Sequence, residues 1–411
     1  MAKNLIIKEK SKKLCVAGQY DVIVVGGGVA GVAAALASAR NGAKTLLIEK
    51  SYMLGGLATA GLVTVYLPIC DGMGRQVSFG IAEELLRLSV KHGVETSWKS
   101  VNKTGEAWLQ EGSDKSRKEH RFEVQFNASV FAILCEQLLI ETGVDILYGT
   151  SVVSATVKNK KINAIITENK SGRQAYTAKN FIDASGDADL AFVSGARTVD
   201  FKQGNILASW YYYVNNGEFL LKPLGYADIP DKFKTKEEKE NRGLRYKGLE
   251  GKELSDMMRA SHENILADFL KDGPLKEDRA LATIATIPQI RMTRRIDGLY
   301  TLDDEESFKT FDDSVGMISN WRKAGPVYEV PYACLISKNI KNLSACGRCI
   351  SATEAMWELS RVIPCCAVTG EAVGTAAALS QDFHSADIRK IQKVLVSNGV
   401  KLHTTELPEL E

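Results

Sequence analysis

The stretch from Tyr20 to Lys50, YDVIVVGGGVAGVAAALASARNGAKTLLIEK, limits what this chain can become more than any other part of it. A β-branched apolar run meets glycines, a helix of small residues follows, and a second apolar run ends at Glu49. Four apolar residues in succession, Val22 to Val25, without polar alternation, describe a strand covered on both faces, as strands of parallel sheets are. The small-residue run carries Arg40 near its end and Gly42 just past it, a helix stop. The fold class is therefore α/β, with a parallel central sheet opened by a βαβ unit. Gly26, Gly28 and Gly31 fill G-x-G-x-x-G at the strand-to-helix turn, with Val29 and Ala30 between them. Side chains at the glycines would block a pyrophosphate, and the helix N-terminus supplies free N–H groups and partial positive charge. Glu49, at the end of the second strand, accepts from ribose hydroxyls in such sites and repels a 2′-phosphate. The unit is a dinucleotide site for FAD or NAD rather than NADP.

Composition narrows the rest. The 411 residues are 45% hydrophobic and 25% charged, enough for one large domain or two linked ones. Lys plus Arg number 52 against 50 Asp plus Glu, so no global field recruits nucleic acid or an anionic membrane. The longest weakly polar stretch, ATAGLVTVYLPIC, falls short of the ~18 residues that span a bilayer, and the N-terminus lacks a signal-peptide core. A cytoplasmic protein is expected. Eight cysteines in a chain of this length do not make a disulfide scaffold.

Along the chain, residues 1–19 read as an N-terminal extension, and residues 20–200 as the first part of the nucleotide-binding domain, with cap elements inside 60–130 and a β-meander at 150–180. NFIDAS, from Asn180, reads as a further core strand after the meander. Residues 201–330 form a substrate or cap domain whose polar insertion, 218–279, is helical at ELSDMMRASHENILADFLK. Residues 331–382 return a closing strand and helix, and 383–411 form a helical tail.

Three further segments decide which dinucleotide is bound. LLIEKSYMLGGLATAG resembles the Glu-Lys-x-x-x-x-Gly-Gly segment of glutathione-reductase-like flavoproteins, which have two dinucleotide-binding domains. FIDASGDADLA resembles their second FAD motif, with Ser185 in the usual threonine position, and CGRCISATEAMWELSRVIPCCAVTGEAVGTAAAL their third. More closely, the chain resembles the bacterial FAD-dependent oxidoreductase family over residues 20–215 and 281–382, including RQVSFGIAEELLRL, IPQIRMTRRIDGLYTL and YEVPYACLI. The resemblance implies a Rossmann-type FAD-binding domain with a β-meander and an inserted α+β cap. It implies FAD contacts from Lys50, Gly55, Gly56, Leu57, Ala58, Val153, Ala184, Ser185, Gly186, Gly347, Arg348, Pro364, Cys366 and Ala367, beside the first glycines and Glu49. The helix opening at Pro364 would point its N-terminus at the flavin and favour negative charge there. A single G-x-G-x-x-G in a βαβ frame argues against a dedicated NADPH domain, so electrons pass between flavin and the substrate or an external carrier.

With FAD supplying the redox chemistry, the protein's tasks are orientation and electrostatics. Arg291 and Arg295 are the candidates to bind substrate, sharing one face if their segment is a strand, and Arg294, Arg361 and Tyr332 are the catalytic candidates. The alternative for the arginines is ion pairing, with the LDDEES acids or, for Arg348 and Arg361, with Glu354 or Glu358. Tyr332 is either a proton donor or a packed ring. Cys346/Cys349 has redox-motif spacing and Cys365/Cys366 lies beside the expected flavin; Cys349 and Cys366 read as packing residues, with a flavin-linked dithiol or a four-Cys metal or iron–sulfur site as the alternatives, and the five histidines show no metal-ligand pairing. The leading function is hydride transfer between flavin N5 and a small polar metabolite; a flavin monooxygenase and a flavin-binding electron-transfer subunit are the alternatives. No nucleic-acid, membrane or metal partner is expected.

Overall fold

The computed structural model describes residue 7 and residues 11–95, 124–240 and 243–409. The start of the expected N-terminal extension and the stretch 96–123, within the expected cap elements, lie outside the described residues. Strand β1 (Val16–Val25), helix α1 (Val29–Arg40) and strand β2 (Thr45–Ile48) make the βαβ unit, with β1 and β2 parallel from Val22↔Thr45 to Val25↔Ile48. After helix α2 (Ile81–Ser89), strand β3 (Asp145–Leu147) adds in parallel to β2. The meander follows as β4 (Ser151–Lys158), β5 (Lys161–Asn169) and β6 (Gly172–Asp183), antiparallel to one another. The sheet runs β3-β2-β1-β6-β5-β4, and a last strand, Leu343–Ala345, pairs in parallel with β6.

Two boundaries differ from the sequence reading. The first strand opens at Val16, inside the expected extension, because Val16 to Gln19 find partners at Ala175 to Thr177. The last meander strand and NFIDAS are one strand, β6, which pairs with β5 at its start and with β1 along its length. Asn180 is accommodated within it because its buried side chain donates to the carbonyls of Ala377 (3.0 Å) and Ser380 (2.9 Å).

Val22 and Val24 face α1 and helix α3 (Ile363–Leu379), while Ile23 and Val25 face Ile162, Ile165 and Leu190 on the meander side. Burial on both faces is what the unbroken apolar run required. Helices α1 and α3 meet along small residues: a methyl group on Gly370 would run into the Ala30 carbonyl, and one on Gly374 into the Ala34 carbonyl. Ser38 closes the seam, its hydroxyl donating to Ala34 O (2.8 Å) and Gly374 O (3.1 Å).

The cap is an antiparallel sheet of Tyr211–Asn215 flanked by Glu218–Lys222 and Arg279–Ile284, with the helix Gly251–Lys271 on it through Ile265 and Phe269. The insertion thus holds the expected helix but begins as a strand, because Leu221 is buried and Phe219 stacks on Tyr212 at 4.6 Å between the charged neighbours. The C-terminal helix, Ile388–Ser397, buries Ile391 and Leu395 in the main core. Among the described residues no single helix is long and apolar enough to cross a membrane; Glu354–Ser360 with α3 reaches that length as a pair bent by 91°, and both helices are core-buried.

Candidate cofactor and substrate site

A cavity of about 510 Å³ opens where β1, the start of α1, the segment after β2, the end of β6 and the start of α3 converge. At its floor α1 starts at Gly28 with no side-chain cap, and a side chain on Gly28 would meet nothing within 4 Å, so the first-turn N–H groups face open space. Gly31 lies beneath, where a methyl group would collide with the Gly26 carbonyl. Gly55 N–H donates to Gly27 O (2.8 Å), which brings the Gly-Gly segment alongside the first turn.

Glu49 is 8% exposed and held from three sides. Its Oε2 accepts from Gly27 N–H (2.6 Å), and its Oε1 from the Ser51 N–H (2.7 Å) and hydroxyl (2.8 Å). A carboxylate offers about four lone-pair sites, so one remains for a ligand hydroxyl. At the end of β6 the buried Asp183 accepts from the Ser185 hydroxyl (2.6 Å) and Ala191 N–H (2.8 Å), yet burial pushes its carboxyl up to about 6.

At the other end α3 starts without a side-chain cap and with Pro364 in its first turn. Arginines surround this end. Arg348 donates through Nη1 to the carbonyls of Ile290 (3.0 Å) and Arg291 (3.1 Å), and its Nη2 lies 3.4 Å from Asp187 Oδ1. Arg361 forks onto Glu358 Oε2 through Nε (2.9 Å) and Nη2 (2.7 Å), and Arg322 holds the other oxygen of that buried carboxylate. Arg291 does not line this cavity: it borders a separate small cleft, is 7% exposed, sits 5.7 Å over the Trp210 ring and leaves Nη1 buried without a partner. Burial, then Arg361 and Arg348, push its guanidinium down to about 9.

Gly26, Gly28, Val29, Ala30, Glu49, Lys50, Gly55, Gly56, Leu57, Ala58, Ala184, Ser185, Gly186, Arg348, Arg361 and Cys366 line the cavity. Gly31, Gly347, Pro364 and Ala367 stand behind this wall: Gly347 N–H donates to Thr369 Oγ1 (2.9 Å), and Ala367 is fully buried. Val153 points the other way; strand alternation turns its neighbour Val152 to the cavity instead. Tyr332 is a packed ring rather than a pocket donor, its hydroxyl bonded to Phe383 O at 3.1 Å and its acidity suppressed by burial. Arg294 is an ion-pairing residue: it reaches Asp189 (3.0 Å) and Asp187 O (3.1 Å) and lies 4.1 Å over Phe192, which lines the cavity.

Arg291 and Arg295 do not share a strand face. Only Arg294–Ile296 is a strand, paired with Thr198–Asp200, because Asn205 Oδ1 accepts from the N–H groups of Arg291 and Met292 (3.0 Å each) and draws them out of a ladder. Arg295 donates to Ile296 O (3.0 Å) and Ser351 Oγ (3.3 Å). The four paired cysteines are buried thiols on separate carbonyls: Cys346 on Ala30, Cys349 on Cys346 and Asp183, Cys365 on Leu359, Cys366 on Arg361. Burial pushes the Cys366 thiol up to about 12. No cluster of metal-ligating side chains occurs among the described residues.

The cavity also uses Ser51, Asp187, Asp189 and Phe192, all inside or next to the quoted motifs, where their neighbours carried the signal. Ile287 and Pro288 open the quoted IPQIRMTRRIDGLYTL segment, whereas Gly248 and Leu254 come from the insertion, where nothing local in the sequence marked their role.

The profile of the family described as FAD dependent oxidoreductase matches residues 21–205 and 226–396. The match runs through 226–280, where the sequence alone offered no resemblance. Among curated proteins, a thioredoxin reductase of Ureaplasma parvum is 34% identical over 71 residues, 17% of this chain and 23% of its own length. A tRNA uridine 5-carboxymethylaminomethyl modification enzyme of Heliobacterium modesticaldum is 32% identical over 146 residues, 31% of this chain and 21% of its own length. The chain therefore spans less than a quarter of either relative. A solved geranylgeranyl bacteriochlorophyll reductase-like protein of Thermoplasma acidophilum aligns at TM-score 0.48 with 15% identity, over 92% of this chain and 84% of that one.

Proposed function

Because the chain belongs to the FAD dependent oxidoreductase family, with FAD as its cofactor, we propose that it is an enzyme that oxidises or reduces a small polar metabolite at the flavin, exchanging electrons with the substrate or an external carrier. The observation that carries this reading is the convergence of two uncapped helix starts, α1 and α3, on one cavity, with Glu49 at one end and arginines at the other. Bound FAD supplies hydride exchange at its N5. The protein's own residues do the rest. Turn N–H groups from Gly28 onward hold the diphosphate, Glu49 takes a ribose hydroxyl on its remaining lone pair, and the α3 start favours negative charge at its end of the cavity. Arg361, oriented by its fork on Glu358, presents fixed positive charge on the wall without a rotamer search.

The test is the absorbance spectrum of the purified protein, followed by anaerobic additions of NADH, NADPH and a panel of metabolites. Bleaching of the flavin band by one of them is the expected result. A colourless protein that refuses added FAD overturns the reading.

A further inference from the structure

A second cavity, of about 270 Å³, shares no lining residue with the cofactor site. Four helices meet there. The end of α1 contributes Arg40 and the capping Asn41, the start of α2 Gly80 and Glu84, α3 Glu371, and the C-terminal helix, Ile388–Ser397, its capping Asn398. Two of them, α1 and the C-terminal helix, arrive by their C-termini, which carry partial negative charge. The opposing N-terminus of α2 is already answered: Glu371 Oε2 accepts from the Ile81 N–H (2.8 Å).

Glu371 is 3% exposed. Its other oxygen, Oε1, accepts from no described residue and borders the cavity. Gly80 gives the carboxylate its room, since its φ is +62° and a methyl group on it would run into both oxygens. Among the described residues no cation pairs with Glu371. Arg40, on the same wall, is forked onto Glu84 through Nη1 (2.6 Å) and Nη2 (2.7 Å), so these two cancel and Glu371 leaves the cavity with a net negative charge. Burial, with the charge of Glu84 added, pushes its carboxyl up to about 7, although the Ile81 N–H and Arg40 pull the other way. Capping α2 does not account for a buried acid, because a neutral amide oxygen would accept from the Ile81 N–H as well.

The wall around Oε1 is rich in acceptors. Asn41 spends its amide N–H on Ala37 O (2.8 Å), which leaves its oxygen as a further acceptor. Such a set matches a cation that donates hydrogen bonds. It does not match a metal ion, which takes several oxygen ligands, and no cluster of metal-ligating side chains occurs among the described residues. The cavity is several times the ~30 Å³ share of one water, so the cation can bring a short carbon chain with it.

We propose that this second cavity binds a small organic ammonium ion, a primary amine on a short carbon chain, whose N–H groups donate to Glu371 Oε1. The proposal does not rest on the oxidoreductase reading, because its test reads amine binding and not electron transfer.

FAD-loaded protein is melted at mildly alkaline pH in increasing ethylamine, propylamine or butylamine, each as the hydrochloride. Ionic strength is held with tetramethylammonium chloride, which has the charge without the N–H donors, and propanol controls for the carbon chain. At least one amine is expected to raise the unfolding temperature saturably, and propanol is not. In Glu371→Gln, whose amide oxygen still caps the Ile81 N–H, the dissociation constant of that amine rises about 10-fold or more. A measurement on the unaltered chain gives a second check: amine affinity falls as pH is lowered through about 7, since the protonated carboxyl no longer attracts the cation. An amine response that survives Glu371→Gln, or that stays constant across that pH window, overturns the proposal. So does a wild-type protein stabilised by none of the amines, or one stabilised by potassium or magnesium chloride in their place.

Discussion

The two ends of the cavity are built on opposite principles. At the Glu49 end the site is fixed by local chain: Gly27 and Ser51 hold the carboxylate and Gly55 ties back to Gly27, while the α1 first-turn N–H groups and one Glu49 lone pair stay open. At the arginine end Arg348 and Arg361 line the wall, each held by an acid distant or nearby in sequence, Asp187 and Glu358. The first end is built from one stretch of neighbouring residues; the second is assembled from residues far apart in the chain.

Four substitutions break or sharpen this contrast. The largest effect is expected from Gly31→Val, whose side chain must displace the Gly26 carbonyl; flavin absorbance per protein should fall to near zero after purification, a loss of FAD affinity of about 100-fold or more. Next is Glu358→Ala, which leaves Arg361 and Arg322 without their shared carboxylate. Denaturant unfolding should show a loss of about 3 kcal/mol, with FAD still bound, if the arginine end is held together by that one acid.

Asp183 gives a pH-dependent test. Its folded value, about 6, lies above the ordinary 3.8, so its contribution to stability is full below 3.8 and is lost as pH rises through about 6. Asp183→Asn should flatten stability across that window and change it by on the order of 3 kcal/mol at most, read from melting temperatures across the pH range. The smallest effect belongs to Glu49→Gln, which keeps one acceptor oxygen but not the charge. FAD affinity should weaken about 5-fold by fluorescence titration, and a loss as large as that of Gly31→Val would show that the carboxylate, not the turn, organises this end.

The same division decides what could be read in advance. The βαβ unit was legible because strand, turn and helix are encoded by adjacent residues, and α1 ends at Arg40 with Gly42 in the left-handed region, as its sequence indicates. The strand Glu218–Lys222 was not, since its three apolar residues are too few to stand out in a polar stretch and its pairing becomes visible only when Leu221 and Phe219 meet the Tyr212 strand. Val153 missed the cavity by one position, which in a strand is the opposite face. Tyr332 failed for another reason: a tyrosine after proline fits a pocket wall or a core equally well, and only Phe383, distant in sequence, decides. Which arginine stays unpaired depended on acids at 187, 189 and 358, so no local pattern could single out Arg291.

The glycine seam between α1 and α3 has a bearing on the width of the cavity. Gly370 and Gly374 lie too close to the α1 carbonyls for either helix to slide or tilt on the other, and each helix carries one end of the cavity. The pair is a caliper set at one width. The spacing between the two ends of the cavity is thus set by residues that line neither of them.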